Sequence, residues 1–70
     1  MSNKDWKKNK SKFVNEVGHW SNSSTGAFVE VLEIDGAYFV SSNVNQEYYG
    51  GKKCDSKTDA IRKARKLMGK

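Results

Sequence analysis

Few residues in this chain could do covalent chemistry. It has one histidine, His19, and one cysteine, Cys54. One of each gives no ligand spacing for zinc, and no metal site is expected. His19 stands beside Trp20 in a polar stretch and reads as a loop residue. Cys54-Asp55 precedes a helix start, where the positive helix end can lower a thiol pKa. A small residue closing a strand is the plainer reading. Gly50-Gly51-Lys52-Lys53 lacks the Gly-Lys-Ser/Thr order that cradles phosphate and magnesium. Two glycines at a strand end mark a bulge. The sequence therefore predicts no enzyme and no cofactor.

The other chemistry is charge. The 70 residues carry a formal net charge of +5, unevenly placed. Residues 1–18 hold five lysines, Lys4, Lys7, Lys8, Lys10 and Lys12, against Asp5 and Glu16. Residues 19–50 hold no Lys or Arg, but carry Glu30, Glu33, Asp35 and Glu47. Residues 51–70 hold eight Lys or Arg against Asp55 and Asp59. Basic ends around an acidic middle point to a polyanion partner met by the ends.

These charges need elements to position them. Ser2-Asn3-Lys4-Asp5 reads as a capping box, and Trp6, Phe13, Val14 and Val17 keep to one helical face. A basic helix over 3–17 follows, with Gly18 as its stop. His19 to Gly26 is rich in Ser and Asn and reads as a loop. Asp35-Gly36 is a strong signal for a two-residue hairpin turn. That turn sets Ile34 against Ala37, Glu33 against Tyr38, Leu32 against Phe39, Val31 against Val40 and Val29 against Ser42. Side chains alternate along a strand. One face therefore shows Val29, Val31, Tyr38 and Val40, and the other shows Phe28, Leu32, Ile34 and Phe39. A third strand is expected over 46–53, completing a three-stranded sheet within 27–53.

Ser56-Lys57-Thr58-Asp59 is a second capping box. The helix after it, 56–69, aligns Ala60, Ile61, Ala64, Leu67 and Met68 on one stripe, with cations on the rest. The expected fold is α+β, in the order α-β-β-β-α. It is a single domain with a three-stranded antiparallel sheet and both helices on one face.

That order, with Val44-Asn45, Tyr49-Gly50, Ser56-Lys57 and the alanines Ala60 and Ala64, resembles the double-stranded-RNA-binding domain. Phe13-Val14-Asn15-Glu16 is similar to that family's first-helix pattern. The resemblance implies RNA contacts from the first helix, the first hairpin loop and the start of the last helix. Lys57 stands where the family has the first lysine of its last-helix cluster, and Thr58 and Ile61 stand at the other two. The hairpin loop is shortened to Asp35-Gly36. Integrase arm-binding domains lay a similar sheet in the DNA major groove, but Glu30, Glu33 and Glu47 would repel phosphates from this sheet.

Two functions are expected from different classes. The first is a small nucleic-acid-binding module for duplex RNA or DNA. Its phosphate contacts would be Lys52, Lys53, Lys57, Arg62 and Lys63 in one cluster and Lys4, Lys8 and Lys12 in another. Trp20, Tyr48 and Tyr49 would be available for base stacking. The second is a protein-interaction module or homodimer working through the apolar face of Phe28, Leu32, Ile34 and Phe39. Its small size would suit a phage or mobile-element accessory factor that binds a host protein. No run approaches the ~20 apolar residues of a membrane span. The lone Cys54, and a start at Met1 without an apolar signal core, read as a complete protein of the cytoplasm.

Overall fold

The computed structural model describes residues 5–10 and 14–69. Five strands form one antiparallel sheet, β1 (Trp6–Lys8), β2 (Glu16–Asn22), β3 (Phe28–Ile34), β4 (Ala37–Ser42) and β5 (Lys52–Cys54). A 3-10 turn, Gln46–Tyr48, joins β4 to β5, and helix α1 (Lys57–Leu67) follows β5. Strand order in the sheet is the order in the chain.

The central hairpin has the register its turn demands. Ile34 pairs with Ala37, Glu33 with Tyr38, Leu32 with Phe39, Val31 with Val40 and Val29 with Ser42. Asp35 and Gly36 take φ of 52° and 81°, the two positive values of a type I′ turn. Its two faces are the expected ones. Val29, Val31 and Val40 are fully buried and join Tyr48, Cys54, Ala60, Ala64 and Met68 in the core. The core thus lies between α1 and one side of the sheet, while Phe28, Glu30, Leu32, Ile34, Phe39 and Ser41 alternate onto the other side.

Among the described residues the expected first helix, 3–17, is not formed, and its positions 3–4 and 11–13 lie outside them. Residues 6–8 are β1 and the chain enters β2 at Glu16, so the α-β-β-β-α order with two helices is replaced by five strands and one helix. Three causes act together. Asn3, Asn9, Asn15 and Ser11 are weak helix formers. Lysines a turn apart would repel one another. Val14 is fully exposed and lies on no apolar stripe. A three-stranded sheet would also leave every outward backbone group of β3 unpaired, and β2 fills that edge.

Gly18 does not end a helix but sits inside β2 opposite Val31, with Trp20 opposite Val29. His19 to Asn22, expected as loop, complete β2, and the turn is confined to Ser23–Thr25. A register shift between Glu16 and Gly18 leaves Val17 as an extra residue, a β-bulge. The third strand of the expected sheet is also shorter than 46–53. Asn45 Oδ1 accepts from Glu47 N at 2.9 Å and starts the 3-10 turn, so pairing with β4 is limited to residues 52–54.

The last helix follows its sequence signals. Ser56 Oγ accepts from Asp59 N at 3.2 Å as N-cap. Ala60 and Ala64 are fully buried, and their small size brings α1 close to β3 and β4.

Candidate nucleic-acid interface

The two faces of the sheet separate the basic residues. Lys8 pairs with Trp20, which pairs with Val29, so Lys8 and Trp20 share the α1 side. The Lys8 ammonium sits 5.8 Å from the centre of the Trp20 ring, a cation–π contact. Lys53 pairs with Phe39 and points to the opposite side. Lys52 is its neighbour in the strand and returns to the α1 side, 5.6 Å from the centre of the Tyr48 ring. The expected cluster of Lys52, Lys53, Lys57, Arg62 and Lys63 is therefore not one surface. Lys4 and Lys12 lie outside the described residues.

Within that set, some cations already have partners. Glu47 binds the Lys52 ammonium, which lowers the carboxyl pKa and raises that of the amine. Lys63 Nζ donates to Asp59 Oδ2 at 2.6 Å, one helical turn away. That hydrogen bond is the main reason the Asp59 carboxyl is held below its ordinary value and the Lys63 amine above its own. Arg62 reaches the same carboxylate only loosely, at 3.7 Å, with its side chain 74% exposed.

Of the cations left for a ligand, three are on the solvent side of α1, and Lys53 lies on the opposite side of the sheet. Lys57, Arg65 and Lys66 form no ion pair among the described residues. Lys57, Thr58, Ile61, Arg62 and Arg65 line a groove of about 390 Å³ along the helix. Positions 57, 61 and 65 are one turn apart, so the groove is a single helical stripe. Reading the sequence by charge alone favoured Lys63 and passed over Arg65 and Lys66. The Asp59–Lys63 spacing of four was the signal that could have reversed that choice.

The aromatic candidates divide as well. Tyr48 is buried in the core, Trp20 packs against it, and Tyr49 is 68% exposed. The four apolar residues expected as a protein interface share the sheet side away from α1. Ile34 is 45% exposed there, and Phe28, Leu32 and Phe39 are half-buried. Cys54 is a buried free thiol whose pKa is pushed up chiefly by burial. Among the described residues no group of His, Cys, Asp and Glu could hold a metal ion, and no helix is long and apolar enough to cross a membrane.

No protein-family model, curated protein or solved structure matches this chain.

Proposed function

We propose that this protein is a small nucleic-acid-binding module that holds phosphates along the solvent side of α1. The carrying observation is the groove of Lys57, Arg62 and Arg65, with Lys66 further round the same helix, whose one acid, Asp59, is engaged by Lys63. Lys8, on the same side of the sheet, adds a cation beyond the helix. Of the strand acids, Glu33 shares the α1 side, at the hairpin end opposite Tyr38. Glu16 and Glu30 belong to the other side of the sheet. Contacts of this kind position a backbone and carry little base information. A reducing compartment such as the cytoplasm suits the free Cys54 thiol.

The test is a binding titration of the full chain against duplex RNA, duplex DNA and single strands at two salt concentrations. The expected result is salt-sensitive binding to at least one, weakened by Arg62→Glu and by Arg65→Glu. Both positions are exposed, so folding should survive. Affinity no tighter than ~10⁻⁴ M for every ligand, or binding indifferent to both substitutions, would remove α1 as the binding element.

A further inference from the structure

The sheet extends beyond the helix on one side. α1 rests on β3, β4 and β5. Lys63 borders a hollow shared with Asn45, Glu47 and Tyr48, so that flank of α1 looks toward β5. Ile61 and Arg65 each stand two residues from Lys63, roughly 200° round the helix axis, and so look the other way, toward β2. The groove that holds Lys57, Ile61 and Arg65 therefore opens over β2 and β1. The side chains that continue this surface are Trp20 on β2 and Lys8 on β1, which are cross-strand neighbours. Trp20 is half-buried and Lys8 is exposed. A basic helical wall thus stands beside a floor centred on an indole.

We propose, resting on the phosphate-binding reading of α1, that this step takes single-stranded nucleic acid, with one unpaired base stacked on Trp20 and its neighbouring phosphates held by Arg65 and Lys8. The posture of the indole carries the choice. One ring face lies over Gly18, where any side chain would collide with it. The other face is turned away from the strand. The Lys8 ammonium stands 5.8 Å from the ring centre, close to the outer limit of a cation–π contact. A flat ring can replace it there, and the displaced ammonium then meets a phosphate of the same ligand.

Charge and shape select the occupant together. It must offer a planar ring and an anion side by side in one molecule. An unpaired nucleotide does so. A duplex keeps its bases stacked on one another and shows a protein only their edges. A run of Asp and Glu brings charge without the ring. Glu33, at the hairpin end of the same side, repels phosphates there and leaves them the end with Arg65 and Lys8.

The experiment compares two ligands of equal length and charge on the full chain. One is an oligothymidine of about 15 nucleotides, within the span of known single-strand sites, and the other is the same chain made abasic. Affinity is read by competition against a labelled strand, and tryptophan emission is followed in parallel. Oligothymidine should bind roughly 10-fold or more tightly than the abasic chain, the usual effect of one stacked base. It should quench the emission, and the abasic chain should not. Trp20→Leu should bind the two chains alike, with near-ultraviolet circular dichroism confirming its fold. Lys8→Ala, at an exposed position, should fold whatever Trp20→Leu does, and should flatten the oligothymidine salt slope by ~0.7. Equal affinity of the wild-type chain for the two ligands, emission that both change alike, or a salt slope indifferent to Lys8→Ala would each overturn the proposal and leave the α1 reading standing. If neither ligand binds and no duplex does, α1 itself is excluded as the binding element and this proposal falls with it.

Discussion

Gly18 and Trp20 fit closely on one face of β2. A Cβ at position 18 would lie 2.4 Å from the Trp20 ring, so the indole lies directly over the glycine. The contact uses the missing side chain, since two residues apart on a strand means the same face. Gly18→Ala should push the indole off the core and away from Lys8, at a cost of ~1–3 kcal/mol. Urea unfolding would measure the loss. Glu30 gives a second prediction at this scale. Its pKa is raised, so the folded chain holds a proton that the unfolded chain has released. Stability from this group is present at low pH and declines as pH rises from about 4.5 through about 7. The melting temperature of dilute wild-type protein should fall across that range more than that of Glu30→Gln.

At the scale of elements, α1 depends on its start and its underside. Ser56→Ala removes the acceptor for Asp59 N and should cost ~1 kcal/mol in denaturant unfolding. Ala64 is fully buried between α1 and the sheet. Ala64→Leu should overpack that seam and cost ~1–3 kcal/mol, where the same change at a solvent position would be neutral. Both the last helix and the β3–β4 hairpin were legible in the sequence because their signals are local. Asp35-Gly36 fixes the register of twelve paired residues, and Ser56 with an alanine stripe fixes a helix. β1 and β2 were not legible for the opposite reason. The turns that join them carry no two-residue signal like Asp35-Gly36, and the bulge at Val17 breaks the alternation that marks a strand. Sparse apolar residues then fitted a helix equally well. The apolar quartet of the hairpin survived this error because it needs only the hairpin. The basic cluster did not survive whole, because Lys52 and Lys53 are neighbours in sequence and opposites in space.

For the whole molecule, the sheet separates two kinds of surface. Most of the described lysines and arginines lie on the α1 side, and Glu16 and Glu30 lie on the other with Lys7 and Lys53. This separation makes salt dependence diagnostic. If only the four α1 cations meet phosphates, log K against log salt should have a slope of about −3.6 on duplex DNA, and Arg65→Glu should reduce its magnitude by ~1. A slope near twice that value would require a second set of contacts, from β1 and the residues around it.

Trp6 and Trp20 both pack against the core on the α1 side, and Phe28 and Phe39 alternate onto the opposite face, where no tryptophan stands. The protein is thus optically one-sided. Tryptophan emission will respond to a ligand settling beside α1 and will be dark to whatever covers the phenylalanines. One fluorescence titration therefore tells which side of the sheet an incoming molecule has chosen, without a label and without altering a residue.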